Sequence, residues 1–205
     1  GRISTITDTL NRVITFNYDT GGWLTSITQV WNQNSTPVTH YWARFEYTNT
    51  LIITNFGTLV VYGPANNTTI KTVSKVTLAD DSRFEFAYTS WGQVWKVTSL
   101  AADNSVVNYR TYDLPSGGGP LGDCPRFTVR KDWAKYWNGD TDGTPAANEE
   151  VATASFIAPA NDTWTMPDGS TPTGMRAEVT AADGTITKIY YIGTATSSGW
   201  RRGLP

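Results

Sequence analysis

The fold of this chain is decided by the stretch Tyr18-Asp19-Thr20-Gly21-Gly22-Trp23-Leu24-Thr25-Ser26-Ile27, in which a turn leads into an alternating strand. The segment before it, Val13 to Tyr18, also alternates between two sets of side chains, which is the period of a β-strand. Aspartate accepts hydrogen bonds within tight turns, and glycine adopts the positive φ angles that such turns need. The stretch therefore predicts a β-hairpin.

Pieces of this hairpin recur along the chain. Five positions match a second set at a constant offset of 70 residues: Phe16, Tyr18, Gly22, Leu24 and Ile27 against Phe86, Tyr88, Gly92, Val94 and Val97. Ile3 to Thr7 also matches Leu24 to Thr28 at an offset of 21, and periods of roughly 20 to 50 residues indicate repeat architecture. A partial third copy contains Tyr112-Asp113, and a degenerate fourth copy runs from Asp183 to Tyr191.

These residues resemble the tyrosine-aspartate (YD) repeats of Rhs-type proteins, which occur on bacterial surfaces and in toxin shells and include the teneurins among their animal relatives. The similarity is strongest from Gly1 to Thr28 and weaker from Ser82 to Asp113, where Thr89 replaces the aspartate. It implies a long β-sheet coiled into a shell or tube, exported from a bacterial cell. The repeat-turn residues are Tyr18, Asp19, Gly22, Tyr88, Gly92, Tyr112 and Asp113.

Composition agrees with an exported β protein. Only 17% of the 205 residues are charged, and threonine, asparagine, glycine and aromatic residues are abundant. We expect an all-β fold, a twisted or coiled antiparallel sheet of short strands and hairpins. It divides into a repeat segment at 1–115, a glycine-rich loop or linker at 116–122, and a degenerate repeat segment at 123–205 in the same continuous domain.

Charge and hydropathy limit the partners. The net charge of −2 comes without a basic stripe, which argues against nucleic acid, and no apolar run approaches the roughly 18 residues of a membrane span. The chain begins at Gly1 without a starting methionine, so we expect a segment of a longer protein. Its open sheet edges, near Gly1 to Thr7 and Trp200 to Pro205, should pair with the rest of that chain or with further copies.

Between the repeats the pattern predicts further strands and loops. Strands are expected at 40–47, 51–56, 58–62 and 70–78, with a polar excursion at 29–37, a loop at Asn66-Asn67 and a turn at Asp80-Asp81. From Phe127 to Trp137 apolar residues occupy odd positions, and a strand is favoured there over a helix.

Residues suited to catalysis are few. His40 is the only histidine and lies on an alternating strand, so we interpret it as a packed or solvated strand residue. Adjacent carboxylates at Asp80-Asp81 and Glu149-Glu150 point to opposite faces of a strand, which disfavours a glycosidase pair. The single cysteine, Cys124, has no partner for an internal disulfide and is interpreted as a small buried residue. We predict no enzymatic activity.

Nine tryptophans exceed what a core of this size needs. Exposed aromatic faces stack on sugar rings, so carbohydrate contacts are one interpretation, and packing at the edge of a coiled sheet is the other. The candidate sugar contacts are Trp91, Trp95, Trp133 and Trp137.

The segment from Asn138 to Glu149 has the spacing of a calcium loop. Oxygen-bearing side chains occupy its first, third and fifth positions, glycine the sixth and glutamate the twelfth. An ordinary polar turn is the alternative, because flanking helices are not indicated. The predicted calcium ligands are Asn138, Asp140, Asp142, Thr144 and Glu149.

Two functions follow from the sequence. The first is a structural, non-catalytic segment of a secreted bacterial YD-repeat protein, part of a shell, fibre or surface projection. The second is a carbohydrate-binding or adhesive module that uses exposed tryptophans to hold polysaccharide.

Overall fold

The computed structural model describes residues 1–60, 62–114, 125, 127–165, 167–171, 173–181 and 183–191. They form one antiparallel sheet in which the order of strands across the sheet is their order along the chain. The strands are β1 (Thr5–Thr7), β2 (Val13–Tyr18), β3 (Leu24–Gln33), β4 (Thr36–Ile52), β5 (Thr68–Leu78), β6 (Arg83–Tyr88), β7 (Val94–Leu100), β8 (Val106–Asp113), β9 (Val129–Ala134), β10 (Val151–Thr163), β11 (Thr173–Ala181) and β12 (Ile186–Tyr191). One 3₁₀ turn, Ala147–Glu149, is the only helical element in these ranges, and the predicted all-β fold is confirmed.

The register of the strands sorts the side chains between two faces. Phe16, Ile27 and Ala43 lie opposite one another on β2, β3 and β4, on what we call the apolar face. On the other face Asn17 Nδ2 donates a hydrogen bond to Ser26 Oγ at 3.1 Å. The two-residue period of the sequence thus places apolar and polar side chains on opposite sides of the sheet.

The buried core of this single-layer sheet is small. Seven hydrophobic residues are buried in the described part of the chain: Ala43, Ile52, Leu100, Tyr109, Trp133, Ala154 and Ala177. In the same part, twenty-one large hydrophobic side chains are exposed. A soluble domain rarely leaves so much apolar surface uncovered, so packing within this segment satisfies only part of its hydrophobic surface.

The sheet curves towards its apolar face. Phe86 of β6 and Val97 of β7 line the same cavity as Val179 of β11 and Ile189 of β12, although these strands lie far apart in the order of the sheet. The cavity has a volume of about 740 Å³. A flat sheet would hold these strands apart, so their approach reflects the coiling that accumulates from strand twist.

A two-stranded arm extends beyond the rest of the sheet. The register with β2 stops at Gln29 and the register with β5 begins at Ala43, so Val30–Trp42 pairs only within the β3–β4 hairpin. Asn34 and Ser35 form its turn with φ angles of 52° and 65°, the positive values of a two-residue hairpin. The predicted polar excursion at 29–37 is therefore wrong.

Aromatic contacts hold the arm together. The rings of Trp31 and His40 stack with centroids 3.4 Å apart, and Trp42 Nε1 donates to Gln29 Oε1 at 3.2 Å. His40 Nε2 is buried and has no hydrogen-bond partner among the residues that the structure describes. An isolated hairpin is marginally stable in water, so these side-chain contacts account for the order of the arm.

The strands expected at 51–56 and 58–62 are also corrected. β4 runs without a break through 40–52 and ends at Ile52, and residues 53–60 form a loop. The backbone N–H of Thr54 donates to Asn66 Oδ1 at 2.9 Å, which ties the two sides of this loop together. The N–H of Ile53 donates to Ser90 O at 2.7 Å, so the backbone after Ile52 bonds to the turn after β6 and leaves the pairing with β5.

The remaining expectations fall in several places. The strand predicted from Phe127 to Trp137 is present as β9 and ends at Ala134, before a turn that contains Trp137. Segment 116–122, Cys124 and Trp200 to Pro205 lie outside the described residues. In the described ranges no helix has the length and hydropathy to cross a bilayer.

Candidate functional site

The two full copies of the repeat build the same turn. The N–H groups of Asp19 and Gly22 bond to Trp23 O and Asp19 O, both at 2.9 Å. In the second copy Thr89 N–H bonds to Gln93 O at 2.8 Å, and Gly92 N–H bonds to Thr89 O at 3.0 Å. Both glycines have positive φ, 79° and 76° respectively. Residues 70 positions apart in these two turns therefore have the same backbone conformation.

The repeated tyrosines make equivalent bonds to backbone carbonyls earlier in the chain. The hydroxyl of Tyr18 donates to Ile3 O at 2.8 Å, and that of Tyr88 donates to Val73 O at 2.7 Å. The acceptor lies 15 residues before the tyrosine in both copies. Tyr88 therefore connects the end of β6 to β5, and Tyr18 connects the end of β2 to the segment just before β1.

The same turn occurs at further hairpins of the sheet. The first residue donates to the carbonyl of the fifth, the fourth donates to the carbonyl of the first, and the fourth has positive φ, as in a three-residue hairpin loop. The turns with this pattern are 8–12, 19–23, 78–82, 89–93 and 101–105, and the same bonds link Ala181, Gly184 and Thr185. One turn geometry therefore joins most of the short hairpins.

A side-chain oxygen caps the fifth residue of each of these turns. It comes from the first residue in some copies, as where Trp23 N–H donates to Asp19 Oδ1 at 2.8 Å and Gln93 N–H donates to Thr89 Oγ1 at 3.3 Å. In others it comes from the third, as where Ser82 N–H donates to Asp80 Oδ1 at 3.1 Å. Thr89 thus performs the role of the missing aspartate of the motif.

These bonds lower the pKa of the turn aspartates. The backbone N–H of Trp23 has the largest effect on the pKa of Asp19, and the Lys71 ammonium, 3.3 Å away, lowers it further. The Ser82 hydroxyl and then its backbone N–H lower the pKa of Asp80. Each turn that is capped by an aspartate is therefore most stable with that carboxylate ionised.

The partial third copy has a different environment. Tyr112 and Asp113 end β8, where they pair with Arg130 and Val129 of β9. Asp113 Oδ2 lies 2.9 Å from Lys131 Nζ. The tyrosine-aspartate pair of this copy is thus paired within the sheet, whereas Asp19 of the first copy begins a turn.

The four tryptophans proposed as sugar contacts do not form one surface. Trp133 is completely buried, stacked on Tyr109 with centroids 5.5 Å apart, and presents no ring face to a ligand. Trp91 is half-buried and packs edge-on against Phe56. Trp95 and Trp137 remain exposed, at 39% and 43%.

Sequence reasoning missed other exposed aromatic residues. Trp31, Tyr41 and Trp42 are exposed on the arm, and Trp23 is exposed beside the first repeat turn. The alternation of Gln29 to Gln33 before a turn of Asn34 and Ser35 is the signal that indicates the arm.

The segment from Asn138 to Glu149 is organised around a buried carboxylate. Asp140 accepts hydrogen bonds from the backbone N–H groups of Tyr136, Asp142 and Gly143, at 2.5, 3.3 and 2.8 Å. Burial raises the pKa of Asp140, but the amides of Tyr136, Gly143 and Asp142 lower it more, and its pKa lies below the usual value. Asp140 therefore shapes the loop through backbone amides.

The other predicted calcium ligands also have protein partners. Thr144 N–H donates to Asp142 Oδ1 at 2.8 Å, and Asn138 Nδ2 donates to Glu149 O at 3.2 Å. Glu149 Oε2 accepts from Trp133 Nε1 at 3.1 Å. Across the described ranges no three histidine, cysteine or acidic side chains lie close enough together to hold a metal ion. Calcium binding at this loop stays a prediction.

Comparison with known proteins identifies the first hairpins. Residues 1–30 match the family model described as RHS Repeat, and the match covers β1, β2 and the first part of β3. The chain contains an RHS repeat. The RHS repeat is a structural repeat, in agreement with the way Tyr18 and Asp19 connect strands. A search of the curated proteins found no match to this chain.

Proposed function

We propose that this chain is a non-catalytic structural segment of a secreted bacterial Rhs-type protein, part of a shell, fibre or surface projection. The observation that carries the proposal is the sheet itself. Its strands follow one another in chain order from β1 to β12, and each of these two end strands is bonded to one neighbour among the described strands. Such a sheet can be extended at both ends by strands of the same kind.

The RHS repeat and the distribution of apolar side chains support this role. Ile6 on β1 and Ile186 on β12 are about half exposed, at 49% and 54%. Exposed strand edges with apolar residues invite pairing, and covering them would remove apolar surface from water. Export follows from the same proposal, because shells and surface projections act outside the cell.

Lysine substitutions at the end strands test the proposal. Ile6→Lys and Ile186→Lys place a charge on each edge strand, which opposes strand pairing. The matched control is Leu59→Lys, since Leu59 is 53% exposed but lies in the loop after β4. Sedimentation velocity over a wide concentration range should show association of the parent chain and of the control, and weaker association of the edge variants.

Two results would contradict the structural proposal. A parent chain that stays monomeric at every concentration, and also fails to bind added flanking segments of its own full-length protein, does not extend through its edges. Association that Leu59→Lys weakens as much as the edge variants comes from non-specific apolar contacts.

We also propose a second function, carbohydrate binding in an adhesive module. Its support is a set of tryptophans with exposures between 39 and 46%, which are Trp23, Trp31, Trp42, Trp95 and Trp137. Large aromatic faces in water are costly unless a ligand covers them, and sugar rings offer a matching apolar face. Screening the chain on a glycan array tests this function, and an array without binding would remove it.

A further inference from the structure

A second cavity on the sheet combines charged and aromatic side chains. It has a volume of about 780 Å³, and residues of β6 to β10 and the turn after β9 line it. It shares Val97 and Tyr112 with the apolar cavity, so the two are adjacent. Ligand sites are usually concave and mostly apolar with a few convergent polar groups, which describes this cavity.

Its polar part is an ion pair held by further hydrogen bonds. Arg110 of β8 lies directly opposite Asp132 of β9, and Arg110 Nε donates to Asp132 Oδ1. The hydroxyl of Thr153 on β10 donates to Asp132 Oδ2, and Arg130 Nε donates to Thr153 Oγ1 at 2.9 Å. The carboxylate is thus fixed in position by side chains from three strands before any ligand arrives.

The ionised state of this pair is also favoured. Burial raises the pKa of Asp132, but the hydrogen bonds from Arg110 and Thr153 and the charges of Arg110 and Arg130 lower it to a net value below the usual one. Each oxygen of an ionised carboxylate accepts more than one hydrogen bond, so Asp132 keeps acceptor capacity towards the cavity. The side chain of Arg110 is 45% exposed and offers donors beside it.

Aromatic residues form other parts of the lining. Trp137 is 43% exposed and Phe84 is 38% exposed, and both line the cavity that contains Arg110 and Asp132. Asn108 adds an uncharged amide side chain to the same lining. An exposed tryptophan beside planar polar groups can stack on a sugar ring while the polar groups bind its hydroxyls.

From this arrangement we infer that the cavity bounded by Trp137, Arg110 and Asp132 is a binding site for a neutral saccharide. Arg110 and Asp132 are the charged residues that line the cavity, and their opposite charges balance each other, which favours an uncharged ligand over an acidic one. A donor and an acceptor side by side match the neighbouring hydroxyl groups of a sugar. The inference rests on the second proposed function, which it places at this cavity. Of the four candidate sugar contacts, Trp133 and Trp137 line the cavity, and Trp137 is the exposed one of the two.

The experiment compares site variants with a matched control. The chain is screened on a glycan array, and isothermal titration calorimetry then uses cello-, malto- and galacto-oligosaccharides as neutral probes and a heparin fragment as the acidic probe. Trp137→Ala removes the aromatic face, and Asp132→Asn removes the charge with little change of shape. The control is Tyr41→Ala, because Tyr41 has a similar exposure of 46% but lies on the arm and is not one of the tryptophans proposed to bind sugar.

Both site variants should lose affinity for a neutral oligosaccharide by about tenfold, equivalent to about 1.4 kcal/mol, while the control keeps the parent affinity. Circular dichroism checks that each variant is folded. Trp137 is half exposed, so its variant remains informative if Asp132→Asn unfolds the local network.

The other outcomes separate this site from the proposed functions. If a neutral oligosaccharide binds and Trp137→Ala loses no more affinity than Tyr41→Ala, the site is wrong while carbohydrate binding stands. Binding of the heparin fragment alone overturns the neutral class of ligand. If no glycan binds, both the site and the second function are overturned, and the structural proposal is unaffected.

Discussion

At the scale of single residues, the tyrosine and the glycine of the repeat have separate tasks. Tyr88 bonds to a strand 15 residues earlier in the chain, while Gly92 allows the turn to close. The sequence offset predicted that these residues are equivalent to Tyr18 and Gly22. The partner of each tyrosine was not predictable, because its position depends on a strand register that other contacts set.

Removing the Tyr88 hydroxyl should weaken the fold. Tyr88→Phe keeps the ring but leaves Val73 O without this donor, and we expect the free energy of unfolding to fall by about 1 kcal/mol. Tyr62→Phe is the control, since Tyr62 is 98% exposed. Urea unfolding of both variants measures the difference, and equal stability of the two would show that the bond to Val73 contributes nothing.

Gly92→Ala should lower the free energy of unfolding by more than the backbone strain at this position accounts for. Its φ of +76° disfavours alanine by about 1–2 kcal/mol, and an added Cβ would lie 3.0 Å from Ile52 Cδ1. Gly184 has a φ of +83° at the same turn position, with no atom within 4 Å of an added Cβ. Gly92→Ala should therefore lower the unfolding free energy more than Gly184→Ala. Equal losses would mean that Ile52 moves aside freely.

At the scale of elements, the hairpin turns are local structures whose side chains cap their own backbones. Asp8, Asp19, Asp80, Asp103 and Asp183 all accept a hydrogen bond within their turns. The arm and the 53–60 loop behave differently. Both contain β-forming residues, but the arm forms strands because its two sides pair with each other, whereas the backbone after Ile52 bonds to Ser90 O in another turn.

The turn aspartates should make the sheet sensitive to acid. The pKa of each turn aspartate is lowered, and the main cause is a hydrogen bond from the fifth residue of its turn. For Asp8, Asp19 and Asp183 the donor is a backbone N–H, that of Arg12, Trp23 and Thr185 respectively. For Asp80 and Asp103 it is the hydroxyl of Ser82 and of Ser105. Their stabilisation is complete above the unfolded pKa of about 4 and is lost as pH falls through the lower folded values.

Urea unfolding between neutral pH and about pH 3 measures this loss, and stability should fall most steeply below about pH 4. Asp103→Asn should show a smaller fall, since it removes one of the contributing carboxylates. An unfolding free energy that does not change between these pH values would contradict the role of the turn carboxylates.

The loop around Asp140 allows a test of its structural role and of calcium together. Asp140→Ala should lower the melting temperature with chelator present, because three backbone amides lose their acceptor.

If the predicted calcium site exists, millimolar calcium should raise the melting temperature of the parent chain and Glu149→Gln should abolish the rise. A parent chain with the same melting curve in calcium and in chelator would leave a polar turn.

At the scale of the whole molecule, local stability should follow the length of the pairing between neighbouring strands. β4 and β5 share a register of ten residue pairs, whereas β1 pairs with β2 over three. Hydrogen exchange of the dilute chain should therefore protect the amides of β4 and β5 most, and those of β1 least. Equal protection of β1 and β4 would show that the edge is covered by another strand even in dilute solution.

The sequence by itself determined the period-2 strands and the repeated hairpin turns. Both depend on interactions within a few residues: Asp19 or Thr89 caps an amide four positions later, and Gly22 or Gly92 supplies the positive φ. The offset of 70 residues is visible in the sequence because both copies form the same turn from the same local interactions.

Only the tertiary structure decided which side chains are covered and which meet in a cavity. Trp133 and Trp137 are alike in sequence, yet Tyr109 and Glu149 cover the first while the second stays exposed. The pairing of Arg110 with Asp132 likewise depends on the register of β8 with β9. Register and curvature sum contributions from the whole sheet, so they bring together residues whose proximity no local pattern encodes.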